Sequence, residues 1–327
     1  MRSQWPWRLW MIAALSCCLS LATEVRGEVY PSRAIRIIVP YAPGGTSDVI
    51  ARILAASMSE DVGQPVIVEN RPGASAIIGS EIVAKAAPDG YTLLMISSGN
   101  LTTNSALFSK LPYDTFRDFS PITNVAYTSY VLSVHPTLPV QSVRQLIDLA
   151  KAQPRQLDAA IPGVGAGGHL ALQLFTSMSG AEFTQVVYKG AAPAMTDTIA
   201  GHTQVIMDAL PTSIENVRGG VIRALAQSGT TRSSLLPDVP TMREAGVPGY
   251  EAIVYNALLG PAGMPRDIVE KLQAEVAKVG RGATMQQRFA ELGLTVTAST
   301  PEELADFMRT ETAKWAKIIR DMNIQVQ

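Results

Sequence analysis

Short apolar runs alternate with helical-period segments along most of this chain. Ile35 to Tyr41 reads as a buried strand, and Ile50, Ile53, Leu54 and Met58 follow it at the spacing of one helix face. Pro65 to Asn70 and Tyr91 to Ser97 are two further strand-like runs, with a helix expected over Ile77 to Ala86 between them. This alternation is how a parallel sheet with crossover helices is written in sequence. A second set begins after a helix that Ser142 and Gln145 open in capping-box fashion, running to Ala152 with Val143, Leu146 and Ile147 on one face. Its strands are expected at Leu157 to Ile161, Gln185 to Tyr188, Val205 to Met207 and Ile222 to Ala226, so a second α/β lobe is natural. Thr300, Pro301 and Glu303 start a last long helix, with Leu304, Phe307, Met308, Trp315, Ile318 and Ile319 as its apolar side.

Length strengthens the two-lobe reading, because 327 residues at 47% hydrophobic are too many for one ordinary core. A net charge of -1 excludes the basic surface that nucleic acid or an anionic membrane demands. The first residues differ from the rest. Arg2 and Arg8 precede an apolar stretch from Leu9 to Leu21, and Ser20-Leu21-Ala22 offers the small residues of a cleavage site, so residues 1–22 read as a signal peptide. That stretch is shorter than the roughly 20 residues of a membrane span. Cys17 and Cys18 lie inside it, so a mature chain cut after Ala22 has no cysteine and no disulfide. Lipidation at Cys17 is the alternative, but Ala14 stands where such signals place a larger aliphatic residue.

Two glycine-rich loops carry the candidate chemistry. In Tyr41-Ala42-Pro43-Gly44-Gly45-Thr46-Ser47-Asp48 the glycines allow a sharp strand-to-helix turn, and the helix start aims free N–H groups and a positive dipole end beyond the strand. An anion is the favoured guest; a purely structural turn is the alternative. Asp48 would cap the loop or accept a bond from a ligand hydroxyl or water. Gly163-Val164-Gly165-Ala166-Gly167-Gly168-His169 repeats the geometry in the other lobe. Two such loops facing each other are what a pincer closing on a small acid requires. Asp208 ends the Val205 to Met207 strand, where it either points into the cleft or caps the next turn. Ser97, Ser98, Gly99 and Asn100 end a first-lobe strand beside the first loop, at the sheet edge where α/β ligands bind. Tyr188-Lys189-Gly190 ends a second-lobe strand in the same way.

Catalytic patterns are missing from the sequence. His135, His169 and His202 have no zinc-like spacing, no Gly-x-Ser-x-Gly elbow occurs, and His169 reads as a helix-start residue rather than a base. Gly163-x-Gly165-x-x-Gly168 with Glu182 downstream matches a dinucleotide fingerprint. Pro162 at the strand end, the exported context and the different pattern of the first loop set that reading below the anion trap.

On these residues the chain resembles the Bug family, the TctC-type solute receptors of tripartite tricarboxylate transport systems. The matching segments are Ile35 to Tyr41, Pro43 to Asp48, Glu69-Asn70-Arg71-Pro72-Gly73-Ala74 and Pro88-Asp89-Gly90-Tyr91-Thr92-Leu93. Gly165 to Leu170, Tyr188-Lys189-Gly190, Pro237-Asp238-Val239-Pro240-Thr241 and Glu244-Ala245-Gly246 continue in family order. The resemblance implies a type II periplasmic binding protein fold: two α/β lobes joined by crossing strands with the ligand in the cleft. Residues 28–124 plus 250–327 would form lobe 1 and residues 125–249 lobe 2. It implies no catalysis and no cofactor, a periplasmic monomer, and as partners a small carboxylate with either membrane transporter subunits or a sensor kinase ectodomain. The ligand would meet Tyr41, Gly44, Gly45, Thr46, Ser47 and Asp48 from one loop and Gly165, Ala166, Gly167, Gly168 and His169 from the other. Tyr41 would cover it, and Ser98, Asn100 and Asp208 would complete the pocket. Ala166-Gly167 stand where the family often has a serine, and Tyr255-Asn256 replace a Trp-centred segment, so the second loop would rely on backbone N–H groups.

Overall fold

The computed structural model describes residues 30–321; the expected signal peptide lies outside them. The first half of the chain lays down β1 (Ile35–Val39), α1 (Thr46–Val62), β2 (Val66–Asn70), α2 (Ile77–Ala84), β3 (Thr92–Ser97) and α3 (Ser98–Leu107). The unit Ile-Arg-Ile-Ile-Val of β1 is central because Ile35, Ile37, Ile38 and Val39 are all fully buried. It pairs in parallel with β2 on one side, Ile37 opposite Val68, and with β3 on the other, Ile37 opposite Leu93. The expected strands and crossover helices are thus present. Ser98 to Asn100, expected to end a strand, instead form the first turn of α3.

The connection between the halves is a strand that pattern reading did not find. β4 (Phe119–Val134) has 16 residues, about 50 Å of extended chain. Its first part, to Ser129, pairs antiparallel with β9 (Ile253–Pro261), which in turn pairs with β3. From Tyr130 onward it pairs with β7 (Val205–Ala209) and β8 (Arg223–Gln227). The short β10 (Thr295–Val296) also joins β4. Pro121 cannot donate to a ladder, and the register slips between Pro121 and Thr123. That proline and the mixed polarity around it hide the strand in the sequence.

The second half repeats the parallel arrangement. After α4 (Val143–Ala152), β5 (Asp158–Ile161) pairs in parallel with β6 (Thr184–Val187) and with β7. The helices α5 (Gly167–Ser179), α6 (Ala191–Ile199) and α7 (Leu210–Arg218) each leave the end of one of these strands. The sheet runs β2-β1-β3-β9-β4-β7-β5-β6. Two lobes of mixed α/β structure share it, with the second crossing made where the chain returns from β8 to β9. Ser228 stitches that return to β4: Tyr130 N donates to Ser228 Oγ at 2.7 Å, and Ser228 Oγ donates to the Ala252 carbonyl at 2.5 Å.

Each half has its own core. Ile38, Leu94, Ile96, Leu101 and Phe119 form the first, which Leu304 and Met308 complete from the last helix, α10 (Pro301–Asp321). Its reciprocal cap is present: Thr300 N donates to Glu303 Oε2, and Glu303 N donates to Thr300 Oγ1. Before it, α8 (Arg266–Arg281) and α9 (Ala283–Glu291) belong to the same half. Leu132, Leu146, Phe175, Met207 and Tyr250 are the centre of the second core. Ser142 caps α4 by accepting from Gln145 N, although the Gln145 side chain accepts from Gln141 N rather than closing back on Ser142.

The long loop after β8 is tied from inside by Gln227. Fully buried Gln227 donates through Nε2 to the carbonyls of Leu236 and Val239, at 2.9 and 2.8 Å, and accepts from Ser233 N at 2.9 Å. Gln227→Leu leaves three backbone groups without these partners. It is expected to lower unfolding free energy by about 3 kcal/mol, read from urea or guanidinium unfolding of variant and parent.

Candidate functional site

Five helix beginnings meet around one cavity of about 60 Å³. Gly45, Thr46 and Ser47 bring the start of α1, Ser97 that of α3, Ala166 to Gly168 that of α5, Gly190 and Ala191 that of α6, and Ala209 that of α7. The first turn of a helix leaves its N–H groups without intrahelical partners. Ser97 Oγ caps α3 by accepting from Gly99 N. In α1, α5, α6 and α7 no side chain caps the first turn. Four uncapped helix ends, each carrying a partial positive charge, therefore face a common space. No Lys, Arg or His is among its lining residues, and Asp208 is the one carboxyl group there.

The first loop is fixed from behind. Asp48 turns away from the cavity and acts as the clamp of its own loop: its carboxylate accepts from Gly44 N at 2.9 Å, Arg52 Nε at 3.0 Å and Asn70 Nδ2 at 2.9 Å. Burial alone would raise its pKa, but these bonds outweigh burial and hold it below the usual carboxylate range. Gly44 is part of this clamp and stands outside the cavity. Ser47 Oγ donates to Asn256 Oδ1 at 2.6 Å, which joins the loop to β9. Two lining groups have no hydrogen-bond partner although buried, Thr46 Oγ1 and Asn256 Nδ2. Both are polar atoms free to meet a guest.

The second loop needs its glycines for close approach. A Cβ on Gly167 would lie 1.7 Å from the Tyr130 hydroxyl, and one on Gly168 would lie 2.3 Å from the Met207 carbonyl oxygen. Only hydrogen fits at either place. Gly165 and His169 sit behind this surface, Gly165 N donating to His169 Nδ1 at 3.0 Å. Burial pushes the His169 ring down to about 4, so it stays neutral and serves the loop as an acceptor.

Tyrosines form the remaining wall. Tyr41 donates its hydroxyl hydrogen to Asn100 Oδ1 at 3.0 Å and accepts from Ser97 N at 3.3 Å. Asn100 thereby positions Tyr41 without lining the cavity, and Ser98 is turned away, its Oγ accepting from Tyr255 N. Tyr130 stands where β4 passes from one half to the other. Tyr41 and Pro162 also wall a second cavity of about 240 Å³, bounded by Gly73 to Ala76, Asn100, Gly163 and Val187 to Lys189. The halves touch around both spaces: Ala42 N donates to the Lys189 carbonyl, Asn100 Nδ2 to that of Val164, and Thr103 Oγ1 to that of Gly165.

Of the expected residues, Tyr41, Gly45, Thr46, Ser47, Ala166, Gly167, Gly168 and Asp208 are brought to one cavity; Gly44, Asp48, Ser98, Asn100, Gly165 and His169 are not. Sequence reasoning missed Tyr130 and Val254, which lie on strands without a clear pattern. It also missed Ala191 and Ala209. The signals for these two were present, since Pro193 and Pro211 mark helix starts just after Gly190 and Ala209.

A two-lobed α/β receptor with helix N-termini turned onto a shared cleft is the class this geometry defines. The tripartite tricarboxylate transporter family receptor pattern, TctC, matches residues 50–324, and the chain belongs to that family. Protein BugT of Bordetella pertussis is 35% identical over 308 residues, covering 94% of each chain. The solved structure of R. palustris Rpa4515 with adipate superposes with a TM-score of 0.88 at 36% identity, covering 90% of this chain and 99% of that one. MatC (Rpa3494) from Rhodopseudomonas palustris with bound malate gives 0.85 at 29% identity, covering 89% and 100%. The family consists of periplasmic solute-binding receptors rather than enzymes. Among the described residues no helix is long and apolar enough to cross a membrane, and no group of three His, Cys, Asp or Glu side chains is placed to hold a metal ion.

His169 and Asp208 give this site opposed acid responses. His169 falls from 6.5 to about 4, so its contribution to stability is present above pH 6.5 and is lost as pH drops through 4. Asp208 rises from 3.8 to about 6 through burial, so its contribution is present below 3.8 and is lost as pH rises through 6. Between pH 7 and 4.5 each is worth about 2 kcal/mol, in opposite directions. Relative to the parent, Asp208→Asn is expected to lose about 2 kcal/mol more on acidification, and His169→Gln about 2 kcal/mol less. Denaturant unfolding at the two pH values checks both; equal pH responses in the variants would refute the assignment.

Proposed function

We propose that this protein is an extracytoplasmic receptor that binds a small carboxylate between its two lobes and delivers it to a tripartite tricarboxylate-type membrane transporter. Four uncapped helix N-termini facing one cavity, with no cationic side chain in its lining, carry the reading. Such a site satisfies an anion with backbone N–H groups and dipoles instead of a salt bridge. Thr46 Oγ1 and Asn256 Nδ2 add unused hydrogen-bonding atoms, and Tyr41 closes one side. The carboxylate head would occupy the smaller cavity, while the rest of the ligand would continue past Tyr41 and Pro162 toward the larger one.

Comparison supports the ligand class. Adipate and malate, bound in the two similar proteins, are both dicarboxylates. The family name supports the transporter as recipient. Residues 33–129 plus 253–321 would move as one lobe and 130–252 as the other, with β4 and the return into β9 as the connections that bend. Closure of this kind lets the membrane partner read whether the site is filled.

Gly45 tests the pincer. Its backbone is extended, and an added Cβ would make only ordinary contacts, 3.8 Å from Ala191 of the other lobe. A large side chain there wedges the lobes apart without disturbing either core. Gly45→Phe is expected to keep its circular dichroism spectrum and melting temperature but to lose the melting-temperature rise that a carboxylate panel including adipate and malate gives the parent. Retained ligand stabilisation in the variant goes against binding between the lobes.

A further inference from the structure

Asp208 sets a problem for a receptor of anions, because this acidic residue lines the very cavity a ligand carboxylate would enter. It ends β7 with only 3% of its surface exposed. Thr212 Oγ1 donates to its Oδ2 at 2.5 Å. The Ala209 backbone also bonds it, and the helix ends around the cavity favour its charge, but burial outweighs these and lifts its pKa. The side chains that could offset the charge are engaged or distant. On β4, Tyr130 faces it and is itself driven toward the neutral phenol by burial and by the Asp208 charge. On α5, His169 is neutral and bonded to Gly165 N. On α6, Asp197 pairs with Tyr188 and His202. Arg218 of α7 pairs with Glu215 on the exposed surface, and Asp158 lies at the opposite end of β5. Arg52, the cation of the first loop, is held by Asp48.

We infer that ligand binding is coupled to proton uptake at Asp208, whose protonated carboxyl group donates a hydrogen bond to the bound carboxylate. This rests on the carboxylate reading above. Two carboxylates confined in about 60 Å³ share one site, and like charges so placed cannot both remain ionised. The more deeply buried group takes the proton. Burial already lifts Asp208 to about 6 with the cavity as described, and the confined ligand charge must carry it well above about 7.5 for it to hold a proton in the complex at that pH. The helix ends then serve one net negative charge instead of two. The proton comes from the solvent buffer and returns to it on release, so affinity weakens as pH rises, and the receptor hands over its ligand more readily on a more alkaline surface.

Calorimetry with adipate as the probe, and malate as a second, tests this at pH 7.5 in phosphate and in Tris, whose ionisation enthalpies differ. The expected result is a binding enthalpy that changes with buffer by close to one proton per bound diacid, with affinity falling about tenfold per unit of pH above 7.5 until the bound-state group titrates. Asp208→Asn is expected to show neither the buffer dependence nor the slope. Binding with a buffer-independent enthalpy in the parent overturns the proposal while leaving the carboxylate reading standing, and it points to a ligand hydroxyl or ammonium as the partner of an ionised Asp208. Proton uptake that persists in Asp208→Asn also overturns it. Failure of both diacids to bind at millimolar concentration goes against the carboxylate reading itself and the proposal with it.

Discussion

A helix cannot satisfy the N–H groups of its own first turn, and in this protein four helices end that obligation at the same place. α1, α5, α6 and α7 each begin at a residue whose side chain makes no cap, namely Gly45, Ala166, Gly190 and Ala209. A serine or aspartate at any of them would satisfy the backbone locally and also occupy the cavity. Small residues leave donors exposed and room for a guest to complete them. The cost of that openness is offset by parallel strands that hold the helix starts in place, each strand ending in the loop that turns into the helix.

Those strands belong to two halves, so the site depends on how the halves are connected. β4 is one continuous strand through both, with bulges at Pro121 to Thr123 and Asn124 to Ala126 on the first side and at Leu132 to Ser133 on the second. Tyr130 lies at the changeover, held by Ser228, and its hydroxyl rests on Gly167. A bend at this strand would therefore be felt directly by the wall of the cavity. The contacts from Ala42, Asn100 and Thr103 to carbonyls of the opposite half are few and polar, the kind that can open without exposing either core.

Polar residues divide sharply between scaffolding and site. Asp48, Asn70 and Arg52 form a closed network behind the first loop; Asn100 bonds Tyr41, Asn104 and the Val164 carbonyl, Ser98 accepts from Tyr255 N, and His169 bonds Gly165 N and Gln173. Thr46 Oγ1, Asn256 Nδ2 and Asp208 are the atoms left to a ligand. An acidic side chain among uncapped helix ends sits in a partial positive field, and under the proposed coupling its charge is removed by a proton when an anionic guest arrives. An arginine there would add donors and positive charge but no acceptor for the open N–H groups.

Much of this was legible in the order of residues. β1, β2, β3 and the helices at Ser142 and Thr300 follow from period and capping chemistry, which are local properties, and the two glycine loops declare a strand-to-helix turn by composition alone. The family resemblance supplied the lobes and the crossing strands. Which side of each loop faces the cavity was not in the pattern: Asp48 and Asp208 are both acids beside a turn, yet one clamps its loop through Arg52 and Asn70 while the other faces the guest. Tyr130 and Asn256 enter from strands that read as irregular, because their neighbours are chosen by partners more than 70 residues away, as Ser228 is to Tyr130 and Ser47 to Asn256. Local sequence determines where the backbone turns and which N–H groups a helix start leaves over; only the tertiary structure decides which of those groups share a space, since that depends on strand pairing across the whole chain.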